Sequence, residues 1–363
     1  MSGKGREKQR GLRGPVRLAL IAVLIMATAW LQACGANNSS NGNAKDSANA
    51  GASAPTGTET AAATAAPDKD SKVPAVLNYG YIGSNDKNLP GGAEGWGFYK
   101  GIIQAELKKY GIEEVKLTGF PNGPDQTESL ISGRLDFGGL GDTPAIIAYA
   151  SGAKTRLINQ TTITNIGYLI SGPNGPKTVE ELKGKTIAIQ KGSYMHRYVV
   201  GLLKQAGVTD YKLVHMLIPD AQAALAKGDV DAMTNTGYTA QKLLAQGYTL
   251  IDDSTKHPEL HGTGVTVVSE SYLKKFPDFP KVWNEARQKA LEDLKQHEDE
   301  YYQFIAALNK TTVDLAKKVS PISDITVEPF PAEGITRITG TKDFLVEEGL
   351  AKKDYKIEDW EIK

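Results

Sequence analysis

The chain has 363 residues with 42 basic and 42 acidic side chains and a single cysteine. Without residues 1–33, which hold six basic residues and one acidic residue, 36 basic and 41 acidic residues remain, a net charge of about −5. This slight acidity argues against a nucleic-acid partner and against a basic patch for lipid headgroups. A single cysteine excludes an internal disulfide framework.

Residues 1–33 have the pattern of a secretory signal, in which basic residues precede a short apolar run. The uncharged run Leu18–Trp30 is shorter than the roughly 20 apolar residues that a membrane-spanning helix needs. The sequence LQAC at 31–34 then resembles a bacterial lipobox, in which signal peptidase cuts before a lipidated cysteine. This resemblance implies a removable signal peptide and a lipid anchor on Cys34. An uncleaved signal anchor with an incidental thiol is the alternative.

Residues 34–72 have the composition of a tether. After the cysteine they are dominated by Ala, Ser, Asn, Gly and Thr, with no aromatic and no large aliphatic residue. Such a segment cannot bury enough apolar surface to offset the entropy lost on ordering. We therefore expect a disordered, hydrated spacer between the lipid and the folded part.

Strands and helices alternate from Val73 onward. The first series predicts strands at 74–83, 115–120 and 135–140 and helices at 95–111, 124–134 and 142–152. The second series predicts helices at 178–184, 193–207 and 220–228 and strands at 185–190, 211–217 and 229–235. Such alternation predicts an α/β fold with parallel sheets, and two series predict two lobes.

Three of the predicted strand-to-helix junctions are rich in polar residues. In open α/β sheets, ligands bind beyond the carboxyl ends of strands, where helix N-termini present free N–H groups to anions. The predicted ligand-binding residues at these junctions are Asp142, Thr143, Ser193, His196, Asn235, Thr236 and Tyr238. Ordinary helix capping is the alternative, because Ser, Thr, Asp and Asn are the usual N-caps.

The stretches 120–152, 178–208 and 220–232 resemble the solute-binding proteins of nitrate, sulfonate and taurine ABC importers. The resemblance implies a type II periplasmic-binding-protein fold. In that fold each of two lobes is a sheet flanked by helices, and two hinge crossings join the lobes. Lobe 1 would then comprise residues 73–165 and 259–363, and lobe 2 residues 166–258.

The same resemblance implies a substrate-binding lipoprotein of an ABC importer, which we expect to be a monomer without a cofactor. The export signal and the lack of an acid/base pair disfavour an enzyme, and no histidine has metal-type spacing with a second ligand. The protein would capture a small anionic or zwitterionic solute in the cleft and deliver it to a membrane permease. The Cys34 anchor would hold it on the outer face of the bacterial cytoplasmic membrane. Two alternatives stay open: a cytosolic cofactor-pathway enzyme on the same fold, and a sensory lipoprotein without a transporter.

Two departures from the pattern of the sulfonate binders affect the expected cleft. Residues 233–239 read MTNTGYT, with hydroxyls and an amide where a tryptophan and a Pro-Tyr pair are usual, and the first loop, 83–96, is long. They point to a solute more polar or larger than a simple alkanesulfonate. Trp96 is expected either as an aromatic wall of the site or as a core residue. His196 is expected either to bond the solute or to pack between the lobes.

Overall fold

The structure, a computed structural model, describes residues 73–362. The predicted signal peptide, the lipidation site Cys34 and the predicted tether lie outside these residues. The strands are β1 (Val76–Ile82), β2 (Glu114–Phe120), β3 (Phe137–Gly141), β4 (Thr155–Asn165), β5 (Tyr168–Ser171), β6 (Lys185–Ile189), β7 (Tyr211–His215), β8 (Ala232–Asn235), β9 (Thr249–Asp253) and β10 (Gly262–Ser269).

The α-helices are α1 (Gly92–Tyr99), α2 (Ile102–Lys108), α3 (Gly123–Ile131), α4 (Asp142–Ala150), α5 (Tyr194–Gln205), α6 (Ile218–Lys227), α7 (Gly237–Ala245), α8 (Glu270–Lys275), α9 (Phe279–Gln296), α10 (Glu298–Leu308), α11 (Val313–Val319), α12 (Ala332–Glu347) and α13 (Ile357–Trp360). Short 3-10 turns lie at Glu180–Leu182, Ser254–Lys256, Pro258–Leu260 and Ile322–Asp324. Within residues 73–362, no helix combines the length and the hydropathy that a membrane span requires.

Two five-stranded sheets, in the orders β2-β1-β3-β10-β4 and β7-β6-β8-β5-β9, form the two lobes. The predicted two-lobed α/β fold is therefore confirmed, but the prediction of parallel sheets is wrong. The strand β10 runs antiparallel to β3 and β4, and β5 runs antiparallel to β8 and β9. Both strands follow a crossing between the sheets. The chain enters each sheet from the edge where the parallel strands end, so the entering strand has to run in the opposite direction.

The chain passes between the sheets twice. Residues 166–167 join β4 to β5, and the segment 254–261, with its two 3-10 turns, joins β9 to β10. The predicted boundaries of the signal peptide, the tether and the two lobes stay predictions. The crossings place the carboxyl ends of the parallel strands of both sheets on the side where the lobes meet.

The predicted helix over 95–111 is two helices, because the chain turns at Gly101. This residue has φ = +76°, a left-handed conformation that glycine adopts without a Cβ clash. The predicted helix over 178–184 is only the 3-10 turn Glu180–Leu182. The other predicted strands and helices overlap observed elements of the same kind.

Each sheet is covered by apolar clusters on both faces. In the first lobe, α1, α2 and α9 pack around residues such as Tyr79 and Trp283, and α4, α12 and α13 pack around Ile146 and Trp360 on the other face. The second lobe has corresponding clusters under α5 and under α6 and α7. Each Å² of apolar surface buried in these layers contributes about 25 cal/mol of stabilisation. The packed layers hold the strand ends in place.

Candidate ligand-binding site

At the first predicted junction, the side chains of Asp142 and Thr143 contact protein rather than open space. Asp142 is fully buried, and its Oδ1 accepts hydrogen bonds from the N–H and the hydroxyl of Thr143. Its Oδ2 accepts from the N–H of Thr263 at 2.9 Å and from the Thr263 hydroxyl at 3.2 Å. The carboxylate thus ties the start of α4 to the start of β10, immediately after the second crossing. The N-cap of α4 is Gly141, so Asp142 acts as a tie between the two elements and satisfies one N–H of the first helical turn.

The second junction packs against the other lobe. Ser193 caps α5, since its Oγ accepts from the His196 N–H at 3.2 Å and donates to the Gln190 carbonyl at 2.7 Å. The Gln190 amide reaches the Pro121 carbonyl of the first lobe at 3.4 Å. Nδ1 of His196 accepts from the Gly192 N–H at 3.3 Å, and burial, together with nearby Lys191, lowers the pKa of His196. Burial therefore favours the neutral form of His196, and the hydrogen bonds of this residue are to Gly192 and Ser193 of its own lobe.

Tyr238, at the third junction, borders a cavity between the lobes. The Tyr238 hydroxyl donates to Oγ of Ser320 in the first lobe at 2.8 Å. Oδ1 of Asn235 accepts from the Thr236 N–H at 2.8 Å, while its buried Nδ2 has no partner among the described residues. Thr236 is the N-cap of α7, and its hydroxyl makes no capping bond. The junction therefore offers unused donors next to a contact between the lobes.

Trp96 is a core residue. Its indole is fully buried, and Nε1 donates to Oδ1 of Asp293 at 2.7 Å. The rings of Tyr301 and Phe304 meet it edge-on at centroid distances of 6.0 Å. The ring thus packs α1 against α9 and α10. Of the two expectations for Trp96, its surroundings match the core residue rather than the aromatic wall.

A cavity of about 500 Å³, here called the outer cavity, lies between the lobes. The first lobe contributes the first loop with the start of α1, the end of α10 and the end of α11. The second lobe contributes one face of α7. The lining residues are Ile82, Gly83, Ser84, Asn85, Asp86, Leu89, Gly91, Gly92, Tyr238, Thr239, Lys242, Ile305, Leu308, Asn309, Lys310 and Ser320.

A second cavity of about 220 Å³, here called the inner cavity, shares Gly91, Gly92 and Ser320 with the outer cavity. It lies in the first lobe, where β4 runs toward the first crossing. Its other lining residues are Glu94, Thr161, Thr162, Thr164, Asn165, Tyr301, Val319, Pro321, Asp324 and Ile325. Hydroxyl and amide groups therefore dominate the polar part of its wall.

The N-terminus of α1 borders both cavities. The N-cap is Gly91, which has no side chain to satisfy the first N–H groups, and a Cβ there would meet nothing within 4 Å. Gly92 has φ = +69°, so glycine is the favoured residue at the start of this helix. The uncapped N–H groups and the positive end of the helix dipole suit an anion. The sequence analysis did not select these residues, although the Gly-Gly pair in the long first loop was a visible signal.

A buried ion pair fixes the charge balance behind α1. Nε of Arg287 lies 2.6 Å from Oε1 of Glu94, and Nη1 of Arg287 donates to the Thr326 carbonyl at 2.8 Å. The negative charge of Glu94 in the first turn of α1 is therefore balanced within the protein.

Within residues 73–362, no group of three or more His, Cys, Asp or Glu side chains could hold a metal ion.

The sequence model of the NMT1/THI5-like family matches residues 107–301, more than half of the chain. The chain belongs to the NMT1/THI5-like family. This NMT1/THI5-like chain is 34% identical over 181 residues to the putative aliphatic sulfonates-binding protein of Escherichia coli strain K12, covering 46% of this chain and 56% of that protein. Its identity to the protein of the same name in Bacillus subtilis strain 168 is 30% over 239 residues, covering 62% and 70%.

Solved structures share the fold of this NMT1/THI5-like chain. The alkanesulfonate-binding protein SsuA from Xanthomonas axonopodis pv. citri, bound to MOPS, superimposes with a TM-score of 0.66 at 21% identity, covering 80% of this chain and 98% of that one. The desulfurization enzyme DSZB superimposes with a TM-score of 0.61 at 16% identity, covering 79% and 96%. These likenesses confirm the two-lobed periplasmic-binding-protein fold.

Proposed function

We propose that this NMT1/THI5-like protein is the substrate-binding component of an ABC importer and captures a small organic anion of the sulfonate class between its lobes. The observation that carries the proposal is the uncapped N-terminus of α1, which borders two adjacent polar cavities that share lining residues. The names of the Escherichia coli and Bacillus subtilis relatives support the same ligand class.

The chemistry of the walls fits an anionic head group. Backbone N–H groups at the start of α1 donate to the anion, and the hydroxyls of Ser320 and Thr164 can add further donors. Each hydrogen bond to a charged group is worth about 1.5–3 kcal/mol, so two or three of them hold an anion without a full counter-charge. The apolar side chains of Leu89 and Leu308 in the outer cavity would face the organic part of the solute.

Contacts across the cleft supply a closing mechanism. Tyr238 and Lys242 of the second lobe reach the Ser320 hydroxyl and, at 3.3 Å, the Asn309 carbonyl of the first lobe. A ligand that touches both lobes favours this closed arrangement, because it gains contacts there that an open cleft does not offer.

The proposal includes the cell-surface context predicted from the sequence. In it, lipid on Cys34 anchors a monomer to the outer face of the cytoplasmic membrane, and the tether lets the lobes reach the permease. The enzyme DSZB shares this fold, so a receptor has to be distinguished from a catalyst. We expect the bound solute to be chemically unchanged when it is released from the protein, as a receptor requires.

Calorimetric titration of the purified protein with alkanesulfonates of increasing chain length tests this function. We expect saturable one-to-one binding that Ser320→Ala weakens about ten-fold, as removal of one hydrogen bond to a charged group would. The matched control is Thr209→Ala, which removes a hydroxyl from an exposed residue beyond α5 and should bind like the wild type. Failure of every sulfonate to bind would contradict the proposal.

A further inference from the structure

Asp324 is a carboxylate in the wall of the inner cavity. It ends the 3-10 turn Ile322–Asp324, and its N–H donates to the Pro321 carbonyl at 3.1 Å. The next residue, Ile325, forms a β-bridge with Thr162 of β4. The turn therefore holds Asp324 at a defined place in a cavity whose polar wall consists mainly of hydroxyl and amide groups.

The donors proposed for the anionic head group line the same cavity. They are the uncapped N–H groups at the start of α1, next to Gly91, and the hydroxyls of Ser320 and Thr164. The inner cavity holds only about 220 Å³, so a head group that reaches into it comes close to Asp324. Two negative charges at such a distance, with little water between them, repel each other strongly. An ionised Asp324 therefore opposes binding of the anion, whereas a neutral Asp324 does not.

The carboxylate of Asp324 has no hydrogen-bond or ion-pair partner within residues 73–362. The cation that influences it is Arg337, whose guanidinium is already bound to the Glu333 carboxylate at 2.6 Å and to the Ile163 carbonyl at 2.7 Å. Partial burial raises the pKa of Asp324, and Arg337 offsets only part of that rise. Asp324 therefore accepts a proton more readily than a fully hydrated aspartate does.

The other titratable groups around the inner cavity are already paired or neutral. Glu94 forms an ion pair with Arg287 at 2.6 Å, so a bound anion meets a neutral pair there. Burial raises the pKa of Tyr301 on α10, and this phenol keeps its proton. At the second crossing, burial and the neighbouring guanidinium of α12 lower the pKa of His261. Among these groups, Asp324 is the acid without an ionic partner, so its carboxylate is the acceptor for a proton taken up with the anion.

We propose that Asp324 takes up one proton from the solvent when the solute binds and donates it in a hydrogen bond to the anionic head group. The carboxyl group then acts as a donor beside the N–H groups of α1 and the hydroxyl of Ser320. The affinity rises as the pH falls through the pKa that Asp324 has in the complex, and it levels off below the pKa of the ligand-free protein. This inference rests on the proposed function and adds proton uptake to it.

Calorimetry on the full-length protein tests this coupling with linear alkanesulfonates from ethanesulfonate to octanesulfonate. A sulfonate stays ionised throughout the pH range used, so a proton taken up on binding goes to the protein. We expect the tightest of these ligands to bind the wild type about five- to ten-fold more tightly at pH 5 than at pH 7.5. Titrations at pH 6 in two buffers that differ in ionisation enthalpy should show uptake of up to one proton per bound sulfonate, a measurement that needs no variant.

Asp324→Asn replaces the carboxylate by an amide of the same shape that donates without taking up a proton. This variant should bind the same sulfonate about five- to ten-fold more tightly than the wild type at pH 7.5 and should lose most of the pH dependence and of the proton uptake. The matched control is Asp314→Asn, which removes the same charge from an exposed position on α11 outside both cavities and should keep the wild-type pH profile.

Two kinds of failure are distinguishable. Sulfonate binding that is equally tight at pH 7.5 and pH 5 in the wild type, that rises equally in Asp324→Asn, or that weakens in this variant at pH 7.5 overturns the role of Asp324 and leaves the proposed function standing. Failure of every alkanesulfonate to bind at either pH overturns the proposed function and this inference together.

Discussion

Replacement of Asp142 by asparagine tests whether this residue supports the fold or contacts the solute. Each carboxylate oxygen of Asp142 accepts the backbone N–H and the hydroxyl of one threonine, Thr143 at Oδ1 and Thr263 at Oδ2, and Oδ2 also accepts from the Thr341 hydroxyl at 3.4 Å. An asparagine keeps only one acceptor oxygen. Whichever way the amide is turned, its NH₂ group faces a buried backbone N–H, while the threonine hydroxyls can rotate and donate elsewhere.

The expected cost follows from this geometry. A buried N–H left without an acceptor costs about 1–3 kcal/mol. The negative charge of Asp142 also favours the charged form of buried Arg197, so its loss adds to the penalty. We therefore expect Asp142→Asn to lower the free energy of unfolding by about 2–4 kcal/mol in the ligand-free protein.

Urea unfolding followed by circular dichroism measures this loss, with Asp314→Asn as the charge-matched control that should stay within about 0.5 kcal/mol of the wild type. The affinity of the variant for a sulfonate that the wild type binds is measured below the unfolding midpoint and should change less than three-fold. A variant as stable as the wild type but with affinity reduced ten-fold or more would refute the reasoning and make Asp142 a ligand contact.

Three further predictions concern the cleft and the anchor. Tyr238→Phe removes the hydrogen bond to Ser320, so we expect three- to ten-fold weaker solute binding and a smaller ligand-induced decrease in the radius of gyration measured by X-ray scattering. Because burial raises the pKa of Asp324, the wild type loses stability as the pH rises from the ordinary aspartate pKa through the raised value; ligand-free Asp324→Asn should therefore be slightly more stable at pH 7, by less than about 1 kcal/mol in chemical denaturation, and this advantage should shrink as the pH falls toward 4. Labelled fatty acid should appear on the wild type and be absent from Cys34→Ala, and equal membrane retention with an unprocessed N-terminus in both would favour the signal anchor.

The local alternation of strands and helices was predictable, because each element depends on nearby residues. The strand at β1 and the helix at α4, with Pro144 in its first turn, follow from apolar pattern and helix-start chemistry. The direction of β5 and β10 was not predictable in this way, since a strand has the same periodicity whichever way it runs. Only the crossings between the lobes set that direction.

The site could be predicted only in part. Tyr238 was selected because it follows a strand end, and it does border the outer cavity. Asp142 and Ser193 were selected by the same rule, but the Ser193 side chain caps α5 and the Asp142 carboxylate ties α4 to β10. Polar residues at strand ends serve capping and ligand binding alike, and the sequence pattern does not distinguish the two roles.

The residues that the strand-end rule missed come from parts of the chain far apart in sequence. Gly91 lies in the first loop, Thr162 at the end of β4 and Asp324 in a turn more than 150 residues later, yet all three line the inner cavity. The β-bridge between Thr162 and Ile325 places the turn next to β4, and no local sequence motif predicts this pairing.

The sequence by itself determined the alternating α/β elements, the two lobes and the resemblance to solute-binding proteins, because apolar periodicity and turn residues act over short distances. The tertiary structure decided which polar side chains are satisfied and which remain free. The charge of Glu94 is cancelled by Arg287, nearly 200 residues away, whereas Asp324 keeps its charge unpaired. Such a balance depends on the distances between side chains and on their burial, which only the packed chain defines.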